Sequence, residues 1–180
     1  MLPYLISHTE KPMLKGYIGI EIPTKRYIAA FVKSQLGDQP IMNTQHLIGH
    51  KFFDLLQHQT NEDMTEFAGQ YYDVKMKLYV NYGIFSKRGQ YLNHTNIKNF
   101  NIYLEKKIKE KFYFLMDFMI EIVPNFKYNL PAVRKKLGIT DDDWDYDSMK
   151  KDYYRYRVRN GKPLLKVRSD YFGINQDAGF

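Results

Sequence analysis

Cysteine is absent from the 180 residues, and that absence closes several routes at once. There can be no disulfide, thiolate metal site or cysteine nucleophile, and a reducing compartment is the natural setting. Long apolar runs are absent as well. The best of them, Phe112 to Val123, is interrupted by Asp117 and Glu121, so no segment reads as a membrane span. The opening residues, MLPYLISHTEKP, hold too short an apolar stretch, no basic leader and an internal proline, which speaks against a signal peptide. Serines are few, and none lies in a nucleophile-elbow pattern. The expectation is an intracellular protein without membrane contact.

Acidic charge is the minority. The 27 Lys and Arg residues outweigh 20 Asp and Glu, for a formal charge of +7. That balance favours an anionic partner. Tyrosine and phenylalanine are plentiful and the apolar share is ordinary, so most of the chain is expected to fold. The length suits one well-cored domain.

The densest feature is the tract from Met149 to Arg168, MKKDYYRYRVRNGKPLLKVR. It carries cations at Lys150, Lys151, Arg155, Arg157, Arg159, Lys162, Lys166 and Arg168 against the single acid Asp152. Tyr153, Tyr154 and Tyr156 are interleaved with them. Cations beside flat polar rings suit a surface that meets phosphate and stacks on bases. The competing reading is a solvated helix face whose tyrosines are half buried.

Periodicity organises the rest. Residues 1–14 read as an arm, 15–168 as one α+β domain with a subdivision near 124–129, and 169–180 as a loose tail. Strands are expected at 15–22 and 73–85, the latter turning through SKRG into a third strand at 90–92, all antiparallel. Val74, Met76, Leu78 and Val80 would face inward, and Lys75, Lys77, Tyr79 and Asn81 outward. Helices are expected from Thr24 as N-cap to Leu36, from Asn43 or Thr44 to about His58, and over 61–69. The longest is capped by Thr95 and runs to about Val123, with Ile97, Phe100, Leu104, Ile108, Phe112, Leu115, Met119 and Ile122 inward. Its second half is apolar nearly all round and is expected to pass through the core. Short helices follow from Pro131 to Leu137 and from Asp145 or Asp147 to Arg159. A turn then leads to an edge strand at 164–168. The fold is therefore α+β and predominantly helical, with a small antiparallel sheet.

Catalytic patterns are sparse. His46, His50 and Asp54 fall on one helix face at i,i+4 spacing and could ligate a metal, but HLIGH lacks the glutamate of the zinc-protease motif. The alternative is the polar side of an amphipathic helix. Asp117 and Glu121 form a second i,i+4 pair, readable as acid–base chemistry or as structural partners of a cation. The acidic run from Asp141 to Asp147 lacks the spacing of an EF-hand loop and suits helix N-termini. Gly16 and Gly19 in GYIGIE lack the rest of a phosphate-binding fingerprint. No cofactor, bound metal or catalytic residue is expected.

Nucleic-acid features form two groups. The order strand, helix, helix, strand, basic turn, strand is that of a winged helix, whose wing would present Lys87 and Arg88. The pair LPAVRKKLGI and DSMKKDYYRYR resembles a helix-turn-helix with Arg134, Lys135 and Lys136 on its first helix. The intervening DDDWDYD is too long and too negative to press on a phosphate backbone, and Trp144 within it suits the core.

The strings LPAVRKKLGI, DDDW, DSMKKDYYRYR and GKPLL also resemble small uncharacterised proteins of Bacteroidales phages and mobile elements, over roughly residues 15–168. That resemblance implies a mobile-element setting in a bacterial host's cytoplasm or a virion, and it carries over no functional residue. The resulting expectation is a non-catalytic nucleic-acid-binding protein, for DNA before RNA. Lys87, Arg88, Lys150, Lys151, Arg155, Arg157 and Arg159 would meet phosphates, and Tyr154 or Tyr156 would stack. The rival is a phage connector or scaffold component, a homo-oligomer that uses the same tract as a protein interface.

Overall fold

A computed structural model describes residues 15–58, 72–89, 92–163 and 165. The expected arm at 1–14, helix at 61–69 and tail at 169–180 lie outside the described residues. So do residues 90–91 of the expected third strand and nearly all of the edge strand at 164–168. Among the described residues the order is β1 (Tyr17–Thr24), α1 (Arg26–Leu36), β2 (Ile41–Met42), α2 (Leu47–Asp54) and β3 (Val74–Asn81). Then come α3 (Tyr82–Arg88), α4 (His94–Ile122), α5 (Phe126–Leu137) and α6 (Tyr146–Arg159). The α+β, largely helical class holds.

The sheet is mixed, in the order β1-β3-β2. β1 runs antiparallel to β3 from Tyr17 opposite Asn81 to Thr24 opposite Val74. β2 runs parallel to β3 through Ile41–Tyr79 and Met42–Val80. Alternation places Ile20, Ile22, Met76, Leu78 and Val80 in the core, as expected. Tyr79, expected on the open face, is buried as well, with the Lys77 ammonium over its ring.

The hairpin expected at 86–89 does not form, and α3 stands in its place. β3 is the central strand, with β1 along one edge and β2 against Tyr79 and Val80 on the other. The chain instead turns helical at Asn81, whose side chain accepts a hydrogen bond from the Gly83 amide at 2.9 Å. Phe85 is buried beneath that turn of helix. The winged arrangement loses its wing.

Several helix starts depart from the caps expected for them, and α1 and α2 begin without a side-chain cap. Thr24 does not cap α1. It ends β1, fully buried, and its hydroxyl donates to Asn101 Oδ1. Asn101 Nδ2 donates in turn to the carbonyls of Pro23 and Ile97, each at 3.0 Å, which pins the sheet to α4. Asn43 does not cap α2 either, because its carboxamide is engaged in a turn that accepts from the Gln45 amide at 2.9 Å. α2 starts later, after His46, and ends at Asp54 rather than near His58. Gly49 is needed there, since a Cβ would sit 1.9 Å from the Asn43 carbonyl oxygen.

α4 is capped by Asn93, not Thr95, through the Asn96 amide at 2.7 Å. Ile97, Phe100, Leu104, Ile108 and Phe112 are buried as the spacing predicts. Beyond Phe112 the buried positions are Met116 and Ile120 rather than Leu115, Met119 and Ile122. The buried line keeps to four-residue steps, toward the side where α5 and α6 pack. The opposite side stays open, so the helix is not buried all round.

α5 begins at Phe126, five residues before the expected start, because Asn125 caps it through the Tyr128 amide at 3.1 Å. Pro131 lies inside the helix. Gly138 closes it in the left-handed region at φ 68°, where a Cβ would also strike Ser34. Ser34 Oγ donates to the Leu137 carbonyl across that contact at 2.9 Å. Trp144 is a packing ring, stacked on Tyr27 at 4.8 Å between centroids and tilted against Phe112 at 5.3 Å. It fixes the acidic turn 140–145 to the core and thereby sets where α6 begins.

Candidate nucleic-acid interface

α6 keeps its expected bounds because both ends are chemically marked. Asp145 accepts from the Ser148 amide at 2.8 Å, a charged cap at the positive end of the helix dipole. Asn160 and Gly161, the latter at φ 64°, end it. The helix lies on α4, and a 14-residue helix has two sides, so each cation of the tract falls on one or the other.

The inner side is built around Asp117 of α4. Its Oδ1 accepts from the Tyr153 hydroxyl at 2.8 Å and its Oδ2 from the Tyr156 hydroxyl at 2.9 Å. Lys162 pairs with the same carboxylate. Arg157 donates to the Tyr153 hydroxyl at 3.0 Å and to the Pro163 carbonyl at 2.8 Å, with Asp117 Oδ1 at 3.7 Å. Burial alone would raise the Asp117 carboxyl. The bonds from Lys162, Tyr153 and Tyr156 outweigh it and hold the carboxyl below the usual carboxylate range. The Tyr153 hydroxyl is pushed up, first by burial and further by its bond to Asp117. Asp117 is thus a structural clamp that folds the 160–163 turn back on α4, and Glu121, its expected companion, is exposed and takes no part.

Two residues read from the sequence as contacts therefore leave the interface. Arg157 is 7 % exposed and its donors are committed. Tyr156 has one ring face stacked on Tyr113, centroids 4.0 Å apart and planes 10° from parallel, and the Lys162 ammonium lies 5.3 Å from its centroid. Neither is free for a phosphate or a base.

The outer side holds Lys151, Arg155 and Arg159, all exposed. Their i,i+4,i+8 spacing makes one row about 12 Å long. None forms an ion pair with another described residue. Beside the row lie Lys150, Tyr154 and the exposed Val158. Lys150 is half-buried and reaches over the rings of Tyr146 and Tyr154, 5.8 and 5.9 Å from their centroids. Lys87 and Arg88 are exposed at the end of α3, on an element packed against β3 rather than at a hairpin tip. On α5, Lys135 and Lys136 are exposed, whereas Arg134 is bound to Asp141 and to the Trp144 carbonyl at 2.8 Å.

The other flank of the row opens on a cleft of about 880 Å³ lined by Tyr27, Asp73, Glu105, Asp142, Lys151 and Arg155, among others. Its floor is an ion-pair chain that spacing alone could not foretell. Lys25 binds Glu105 at 2.8 Å, Lys109 bridges Glu105 at 3.1 Å and Asp152 at 3.2 Å, and Asp152 accepts from the Tyr113 hydroxyl at 2.6 Å. Its rim includes Asp141, Asp142 and Asp143. An anion approaching Lys151 or Arg155 from that flank meets carboxylates. From the flank of Tyr154 and Val158 it meets mostly cations and apolar surface, beside the exposed Asp147 and the half-buried Asp152.

His46, His50 and Asp54 are exposed on the solvent side of α2. Among the described residues no group of three His, Cys, Asp or Glu side chains is placed to hold a metal ion. No described helix is long and apolar enough to cross a membrane. No family model, curated protein or solved structure matches the chain.

Proposed function

We propose that the chain is a non-catalytic nucleic-acid-binding protein that carries a phosphate backbone across the outer side of α6. The observation that supports this reading is the row Lys151, Arg155 and Arg159, three exposed cations in about 12 Å on one helix that form no ion pair with another described residue. Lys150 extends the row, and Tyr154 offers the ring edge beside it. The acidic rim of the cleft directs the backbone toward the Tyr154 flank. Duplex DNA is the preferred ligand, and a phage or mobile-element setting fits a small basic protein of this kind.

Fluorescence anisotropy with labelled duplex and single-stranded DNA at rising salt tests the reading. Affinity should fall steeply with salt, and changing Lys151, Arg155 and Arg159 together to Ala should flatten the log–log slope by about 2–3 on duplex. Absence of binding to either form at low salt sinks it. The rival reading, in which α6 docks on a protein subunit of a virion assembly, draws on Val158 standing 62 % exposed within the cationic strip. Its mark is salt-insensitive association with protein and none with DNA.

A further inference from the structure

The second half of α4 leaves Phe114, Phe118 and Ile122 exposed at 71, 57 and 65 %. Their i,i+4,i+8 spacing makes a continuous apolar row about 12 Å long. Single exposed apolar residues are ordinary, but a row of two phenylalanines and an isoleucine on a rigid helix is a patch. We propose that this row is a self-association surface that takes a second copy of the chain, the two α4 helices packing antiparallel about a two-fold axis at Phe118. The proposal is independent of what α6 binds.

Area and charge both point to a second copy. Aromatic side chains bury roughly 150–250 Å² each, so the row presents on the order of 400 Å² per chain. With the flanking surface of Lys111, Leu115 and Glu121, two facing copies cover about 1,000 Å² or more, the level at which specific interfaces begin. Charge is polarised along the helix. Between residues 106 and 111 four lysines, Lys106, Lys107, Lys109 and Lys111, stand against Glu110. From 112 to 126 there is no cation, while Glu121 is exposed. The last turn of α4 holds no basic residue, so nothing in that turn offsets the negative end of the helix dipole. With the axis at Phe118, Glu121 of one copy falls opposite Leu115 of its partner and about one helical turn from the partner's Lys111, whereas a parallel pair sets Lys111 against Lys111 and Glu121 against Glu121. Centring the pair on Phe118 also places Phe114 of one copy opposite Ile122 of its partner, the self-complementary arrangement a two-fold axis requires.

Sedimentation velocity of the full chain across a concentration series reads this out directly. The mass should approach twice 21.5 kDa at the upper end, and Phe118→Glu should hold the chain at the monomer mass with unchanged helical circular dichroism. Because the chain has no cysteine, Phe118→Cys tests the axis itself. A short bis-maleimide should link two copies at that position and fail to link Lys98→Cys, an exposed site near the start of the same helix. A monomer at every concentration, association that survives Phe118→Glu, or no cross-link through Phe118→Cys overturns the proposal.

Discussion

Arg155 and Arg157 stand two residues apart on α6 and differ in almost every physical respect. Arg157 is buried against Tyr153, Pro163 and Asp117. Arg155 projects into solvent in line with Lys151 and Arg159. Taking a guanidinium out of water is costly unless its donors are satisfied. The inner side of α6 meets that condition with the Tyr153 hydroxyl, the Pro163 carbonyl and the nearby Asp117 carboxylate. On the outer side Arg159 donates to the Arg155 carbonyl at 3.3 Å, and the row has no carboxylate paired to it among the described residues. The tract is thus two surfaces woven into one string. Met149, Asp152, Tyr153, Tyr156 and Arg157 belong to the fold, and Lys151, Arg155 and Arg159 face solvent.

Substitutions on the two sides should separate them sharply. Tyr153→Ala removes a fully buried ring packed against Phe112 and Phe126, and denaturant unfolding should show a loss of about 3–5 kcal/mol. Asp117→Asn leaves Arg157 facing a neutral partner in a largely buried site, with an expected cost of about 3 kcal/mol. A cost below about 0.5 kcal/mol would show the clamp to be incidental.

The same clamp has a pH signature. Folding lowers the Asp117 carboxyl below its ordinary value, so its contribution is complete above the unfolded pKa of about 4 and fades as pH falls through the folded value. The stability gap between the parent and Asp117→Asn should therefore narrow between pH 6 and pH 3. A gap constant over that range would place the origin of its stabilisation elsewhere.

Arg157→Ala should cost about 2 kcal/mol, by leaving the Pro163 carbonyl and the Tyr153 hydroxyl short of a donor. Arg155→Ala should change stability by no more than about 0.5 kcal/mol. It should instead lower the salt slope of DNA binding by about 1. If the two arginines exchange these phenotypes, the division of α6 into an inner and an outer side is wrong.

α4 repeats the contrast along its length instead of across its width. Up to Phe112 the three-four spacing named the buried residues correctly. Past it, apolar residues occupy nearly every position, and spacing cannot say which line faces inward. Only the packing of α5 and α6 selects Met116 and Ile120 and leaves Phe114, Phe118 and Ile122 outside. The misread strand and turn at 82–89 have a related cause. SKRG is a fair hairpin tip, but the chain turns helical at Asn81 and buries Phe85, and β2, beside β3, is a two-residue strand too short to be seen in the string. Asp117 illustrates the site side of the problem. Its partners Tyr153, Tyr156 and Lys162 lie 36, 39 and 45 residues away, beyond any local pattern.

Local rules were enough for β1, the apolar stripe of α1, the inward alternation of Met76, Leu78 and Val80, the buried line in the first half of α4, the end of α5 at Gly138 and both limits of α6, because each depends on alternation, helical spacing or a cap within a few residues. The caps of α1 and α4 and the end of β3 were not legible in that way. The cationic row was not separated in the string, which grouped the buried Arg157 with Arg155 and Arg159, although i,i+4,i+8 spacing on any helix aligns Lys151, Arg155 and Arg159. Tertiary structure alone assigned the inner and outer sides. Which arginine is buried, which tyrosine is stacked and which phenylalanines remain in water depend on what packs against a helix, and in this chain the packing partners are dozens of residues away.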